Sequence, residues 1–172
     1  LGNSLKVETC PTSTSDSAFD NWTYVAEFDA APGTSSFASG RGASNDEMHA
    51  IVIDEDGLFT GTRGTVLERY PFVSVASNAK ADDGTSNYII DVINNSSNYI
   101  KMVGFGSSQF SPTAGTAAAS SVDYQNASFD DVRSGSLASG ANSGTLTAGN
   151  YATGFDLLED KDTIQVDFLI AP

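Results

Sequence analysis

The chain has 172 residues, of which 40% are apolar and 10% aromatic, and it carries 22 acidic against 8 basic side chains for a formal charge of −14. The acids are scattered along the chain instead of gathered in a tail, which disfavours binding to nucleic-acid phosphates or anionic membrane surfaces, because such binding draws its affinity from Lys and Arg. That length suits a single domain over residues 1–172, and 16 glycines among long Ser/Ala/Thr stretches favour strands and loops over helices.

In chain order, Ser4 to Thr9 alternates, with Leu5 and Val7 on one face and Lys6 and Glu8 on the other, the period-two mark of a half-buried strand that Pro11 stops. From Trp22 to Phe28, Trp22, Tyr24, Ala26 and Phe28 alternate with Thr23, Val25 and Glu27, which predicts a second strand. Ala31 to Asn45 is Gly/Ser-rich and reads as a loop. Met48 to Ile53 is a third strand, and Leu58 begins what reads as its return.

Between these last two lies Asp54-Glu55-Asp56-Gly57, open to two readings. A calcium loop of the EF-hand type needs its glycine at the sixth place and a bidentate Glu at the twelfth. Here Gly57 is at the fourth place from Asp54 and Thr65 at the twelfth, so the ligand pattern fails. A hairpin turn needs only turn-forming acids and a glycine able to take positive φ, and the segment supplies both.

Val66 to Ala76 reads as extended, with Pro71 arguing against a helix, and Asp82-Asp83-Gly84 closes it. Thr85 or Ser86 can cap a helix through Tyr88, Ile89, Ile90, Val92 and Ile93, ended by Asn94 and Asn95, with Tyr99 to Val103 as a following strand. Gly104 to Ser121 and Ser134 to Thr147 are low-complexity loops flanking Val122 to Val132. Thr147 can cap a second helix placing Tyr151, Phe155 and Leu158 on one stripe, and Thr163 to Ile170 reads as a final strand. The fold class is therefore α+β: a β-rich domain with a mixed or antiparallel sheet, a few short helices packed on it and long Gly/Ser-rich loops.

Chemistry is hard to place. Cys10 is the only cysteine, which excludes an internal disulfide and a cysteine-based zinc site, and His49 is the only histidine, read as a packed or surface residue. No G-x-S-x-G nucleophile motif, dinucleotide fingerprint or P-loop occurs. The acid pairs Asp82-Asp83, Asp130-Asp131 and Glu159-Asp160 read as solvated charges, not as a glycosidase pair facing across a cleft. No catalytic, cofactor-binding or metal-ligating residue is assigned, and no cofactor is expected. No apolar run approaches membrane length.

Four segments carry a resemblance. Val66, Glu68 and Tyr70, followed by "SNYIIDVINNSSNYIKM" with Ser97, Tyr99 and Ile100, resemble the region of contractile phage tail sheath proteins in which a "V-x-E-x-aromatic" strand leads through a loop to a helix ending in Asn-x-Ser and then to "Y-I". The stretch "LASGANSGTLTAGNYATGFDLLEDKDTIQVDFLIAP" is similar to that family's "L-x-G-G-x-x-G" loop, capped helix and apolar strand ending near Ala-Pro. "LGNSLKVE" looks like its Gly-Asn-x-Leu-x-Val strand, and "HAIVIDEDG" like the hairpin before the E-x-aromatic strand. Ser139 stands where the family tends to have the first glycine of a Gly-Gly pair.

The resemblance implies a structural protein and not an enzyme: a myovirus-type sheath subunit that polymerises as stacked rings around the inner tail tube and contracts to drive that tube through the host envelope. It implies neighbouring sheath subunits, the inner tube protein, the baseplate and the tail terminator as partners, with no nucleic acid and no membrane among them, and a place in the virion tail after assembly in the host cytoplasm. On this reading the chain is an excerpt of a longer polypeptide, opening at Leu1 in mid-pattern. Two alternatives stand beside it: the sheath of a bacterial contractile injection system such as a tailocin or type VI machine, and an extracellular carbohydrate-binding or adhesin module using Trp22, Tyr124 or Phe129 as an exposed aromatic platform.

Overall fold

The run Glu47–Asp54 has no polar alternation, and such a strand is stable only if both its faces are covered. In the computed structural model it is the inner strand of an antiparallel sheet, and every residue from Met48 to Asp54 is buried. The structure describes residues 2–12, 17–104, 122–124, 131–140, 147–149 and 152–153. The chain divides into two compact units, 1–139 and 140–172. In the second, residues 148–149 and 152–153 are helical, with Thr153 Oγ1 donating to Gly149 O at 3.0 Å. Tyr151, Phe155, Leu158 and the strand expected over Thr163 to Ile170 lie outside the described residues.

The first unit is α+β. Its strands are β1 (Leu5–Pro11), β2 (Glu47–Asp54), β3 (Thr65–Ser74) and β4 (Arg133–Ser136), in the spatial order β3-β2-β1-β4. Its helices are short: α1 (Ser17–Asp20), α2 (Ser36–Ser39) and α3 (Ile89–Ser96). No helix among the described residues is long and apolar enough to cross a membrane.

Register sorts the side chains into two layers. Val7 faces Val52 and Thr9 faces Ala50, whereas Glu8 faces Ile51 and Cys10 faces His49. Val52 and Ala50 of the first set pack with Leu5, Met48, Tyr70, Val73, Ile89 and Ile93 under α3. The second packs Ile51 and Ile53 against Phe19, Trp22 and Phe28. Burial of each Ile, Val or Met of β2 is worth about 1.5–3 kcal/mol, so the strand anchors both layers. The expectation that β1 is half-buried is therefore corrected: Glu8 is buried too, its carboxylate taking Trp22 Nε1 at 2.7 Å, Lys6 Nζ at 2.7 Å and Ser134 Oγ at 3.2 Å.

Trp22 to Phe28 is not a strand. Val25–Glu27 forms a 3-10 turn, with i to i−3 bonds from Val25 N to Trp22 O and from Phe28 N to Val25 O. The chain folds back because Trp22 and Phe28 stack at 5.2 Å and 14° over the sheet, a tertiary contact that overrides β-propensity. The loop expected over Ala31 to Asn45 holds α2, whose first turn is capped by Ser35 Oγ accepting from Ala38 N at 3.1 Å.

β3 is an edge strand with two irregularities, one leaving Leu67 unpaired and one setting Pro71 and Phe72 opposite His49. A proline, which donates no ladder bond, is tolerated at such a bulge. The return strand begins at Thr65 instead of Leu58, because the Asp54 carboxylate gathers the intervening loop, accepting from Phe59 N at 3.0 Å, Thr60 N at 2.8 Å and Thr60 Oγ1 at 2.9 Å.

α3 runs to Ser96, past Asn94 and Asn95. Its cap position is Tyr88, with no side-chain cap; Ser86 instead donates to Asp91 in the first turn at 2.7 Å. Tyr99 to Val103 is irregular, not a strand. The Asn94 side chain occupies both backbone groups of Met102, donating to its O and accepting from its N, each at 2.8 Å, and so takes the place of a ladder partner.

The Asp54 loop yields a direct test. Gly57 and Gly61 both have left-handed φ, 76° and 85°, but a Cβ on Gly57 would lie 2.9 Å from Arg63 N while one on Gly61 meets nothing within 4 Å. Urea unfolding is expected to show a loss of about 1–2 kcal/mol for Gly61→Ala and a clearly larger one for Gly57→Ala. Equal losses would show that the loop relaxes freely around residue 57.

Candidate functional site

The alternation of β3 sends Glu68 and Tyr70 to the layer beneath α3, and the end of α3 delivers Ser97 to the same place. There the Glu68 carboxylate is a hub. Its Oε2 accepts from Tyr70 OH at 2.7 Å and from Ser97 Oγ at 2.6 Å, and its Oε1 accepts from Asn98 N at 2.8 Å. Ser97 Oγ in turn accepts from Tyr99 N at 3.1 Å and Ile100 N at 3.0 Å, so one charge organises the whole chain reversal after α3.

Burial alone would raise the Glu68 pKa, but the bonds from Ser97, Asn98 and Tyr70 outweigh it and hold the carboxyl below its ordinary value. Burial raises the Tyr70 phenol. Phe59 closes the reversal from outside, meeting Tyr99 edge to face at 5.4 Å.

Two open grooves flank β3. One, of about 550 Å³, runs between Tyr24 and Glu27 and the stretch from Gly64 to Arg69; the other, of about 490 Å³, lies on the Tyr70, Ser96 and Asn98 side. Arg69 Nη1 bridges to Glu27 Oε2 at 3.2 Å across the first. Both partners are substantially exposed, so the pair contributes little to stability.

The residues that sequence alone singled out are distributed elsewhere. Asp54 is fully buried, and its oxygens are turned to Ser4 and to the loop's own N–H and hydroxyl groups; burial raises its pKa, but the bonds from Thr60 and Phe59 prevail and lower it. Asp56 pairs with Arg63 at 3.1 Å on the surface. His49 is fully buried, stacked on Phe28 at 4.1 Å. Asp83 accepts from Thr85 N at 2.9 Å within its own turn. Asp131 accepts from Val132 N at 2.7 Å, while Asp130, Glu159 and Asp160 lie outside the described residues.

Trp22 and Tyr124 are buried, which corrects the expectation that either could form an exposed aromatic platform; Phe129 lies outside the described residues. Among the described residues, no group of three or more His, Cys, Asp or Glu could hold a metal ion.

One organising residue had no sequence signal. Asp46 is fully buried and accepts from Ser35 N and Ser35 Oγ, each at 2.8 Å, and from Ser74 Oγ, tying the start of α2 to the end of β3. Its neighbours in sequence are those of an ordinary polar loop.

No protein-family model, curated protein or solved structure matches the chain.

Removing the Glu68 hub leaves Ser97 and the Asn98 N–H without their acceptor, and with hydrogen bonds to charge at a partly exposed site, Glu68→Ala is expected to cost about 1–2 kcal/mol. Because the Glu68 pKa is depressed, its contribution is complete above the ordinary value of 4.5 and is lost as pH falls through the folded value. Glu68→Gln should accordingly flatten the acid limb of the stability profile measured by urea titration. An unchanged acid limb would remove Glu68 from this role.

Proposed function

We propose that the chain is a structural domain of a contractile phage tail sheath subunit, a mechanical element and not an enzyme. The observation that carries this reading is the Glu68 hub. The strand residues Glu68 and Tyr70 and the post-helical Ser97, which resemble two separate parts of the sheath pattern, meet through one carboxylate across 29 positions of chain. A "V-x-E-x-aromatic" strand and an Asn-x-Ser helix end form a coherent pattern if the glutamate exists to receive that serine.

A second feature supports it. Ser139 stands at φ 64, in the left-handed region that glycine enters without strain, at the place where the sheath pattern tends to have glycine. Serine thus adopts there the left-handed backbone that a glycine would take without strain.

The physics suits a part that moves as a body. A sheet packed on both faces resists internal deformation, so stress applied at its surface is passed to neighbours instead of being absorbed. Contraction on this reading is a switch between two sets of contacts among sheath subunits, each turning as a unit, around the inner tube and under the control of the baseplate. The net charge of −14 makes neighbouring copies repel unless salt screens them, so ring stacking should be ionic-strength dependent.

Negative-stain electron microscopy of the full-length protein carrying this chain, overexpressed alone over a range of salt concentrations, tests the proposal. Hollow, striated tubes are the expected result. A monomer under every salt condition would overturn the sheath reading, and binding of the domain to a glycan array would then favour the carbohydrate-binding alternative. Tubes from a gene lying beside tail fibre and capsid genes would favour the phage over the bacterial injection system.

A further inference from the structure

His49 is the only histidine of the chain, and its imidazole sits in a closed aromatic box. Phe28 stacks on it at 4.1 Å and 6°, Phe72 meets it edge-on at 4.6 Å, and Phe19 lies tilted at 5.6 Å. Its two nitrogens have opposite obligations. Nε2 lies 2.8 Å from Ala30 O, which can only accept, so Nε2 carries the hydrogen. Nδ1 lies 3.0 Å from Phe72 N, which can only donate, so Nδ1 must be bare. The neutral ring satisfies both partners, and the protonated ring can satisfy only one.

The donor that depends on Nδ1 is in a strained place. Phe72 has φ 50, a left-handed conformation that costs a bulky residue, and it follows Pro71 in the bulge of an edge strand. Its N–H is tied to the imidazole instead of to a ladder carbonyl. The neighbouring anchors are different: Asn87 Nδ2 donates to Phe72 O at 2.9 Å, and Ser74 N donates to Asn87 O at 2.8 Å.

We infer that His49 is a proton-operated latch on the sheet edge: protonation at Nδ1 releases the Phe72 N–H and frees the Pro71–Phe72 bulge, while β1 and β2 stay paired. Pro71 of the released segment lines the 490 Å³ groove, so the latch governs the shape of that edge of β3.

The groups facing His49 leave this window to it. On β1 the opposite residue is Cys10, whose thiol burial pushes up to about 12, with Asp131 adding to the shift, so it stays neutral. On β2, Glu47 has its carboxyl raised by burial, which makes the folded state gain protons on acidification and acts in the opposite direction. Glu8 is lowered and tied to Lys6, so it acts only below the ordinary 4.5. Arg69 on β3 pairs with Glu27 of the 3-10 turn. Asp20 and Asp29, at the ends of the segments that bring in Phe19 and Phe28, are exposed.

Burial lowers the His49 pKa from its ordinary 6.5, so the latch is fully closed above that value and weakens as pH falls toward the folded value. Opening takes up one proton in that interval, which makes the closed state about tenfold less favoured per pH unit.

The test is amide hydrogen exchange by NMR on the full chain, between about pH 7.5 and about pH 5, with rates divided by intrinsic rates. The expected result is a Phe72 protection that is flat above about 6.5, falls about tenfold per pH unit below it, and stays lower than that of the β1–β2 amides at every pH. Glu47→Gln should keep the slope. His49→Gln, whose side-chain oxygen accepts at any pH, should remove it; if that variant does not fold, the wild-type and Glu47→Gln profiles decide. A Phe72 protection without pH dependence, or one equal to that of the β1–β2 ladder throughout, overturns the inference.

Discussion

The described part of the first unit depends on β2 being buried on both faces. A strand with Met48, Ala50 and Val52 on one side and His49, Ile51 and Ile53 on the other cannot be left at a surface, so the chain must supply two apolar layers. It does so with small means: α3 and the turns around Ala38, Ala43 and Ala76 on one face, and three aromatic rings carried by short helical turns on the other. Neither layer contains a long helix, which is why the fold relies so heavily on side chain to backbone hydrogen bonds to hold its loops in place.

Those bonds converge on a few carboxylates. Asp46 and Asp54 stand at the two ends of β2 and are both fully buried, and each is satisfied by donors of the adjoining loops. Glu8 performs the same service in the middle of β1 for Trp22 and β4, and Glu68 does so for the turn after α3. A buried carboxylate is tolerable only when its oxygens are so occupied, and the donors are thereby fixed in position. In an acidic protein, then, some of the acid groups are internal fasteners, and the excess negative charge at the surface comes from others such as Asp20, Asp29 and Asp82.

The strands of the sheet's centre were legible because dense β-formers leave little choice of period: β1, β2, β3 and the stripe of α3 follow directly from Leu5, Val7, Ile51, Val52, Ile53, Val66, Ile89 and Ile93. The failures have a common cause. Trp22 to Phe28 and Tyr99 to Val103 both show strand propensity, but ring stacking decides the first and the Asn94 amide decides the second, and neither partner is visible in the local pattern. The Asp54 segment was half legible: its glycine and acids announce a turn, while the reach of the carboxylate to Thr60 lengthens it. Glu68 and Ser97 could not be linked beforehand: the sheath resemblance names both residues but no contact between them, and periodicity carries no information across such a separation. Asp46, set among Ser and Asn, offered nothing.

The mechanical reading of the domain requires that its two layers act as one body through β2. Trp22 is the only tryptophan and lies in the aromatic layer, whereas Ile89 is buried in the opposite layer beneath α3. The most direct measurement is urea unfolding followed by Trp22 fluorescence in the wild type and in Ile89→Ala, a cavity expected to cost about 2–5 kcal/mol. If β2 unites the layers, the Trp22 transition moves to lower urea by that full amount and coincides with the loss of secondary structure. A Trp22 transition that stays in place while the α3 side melts earlier would show two independent layers and would contradict the account.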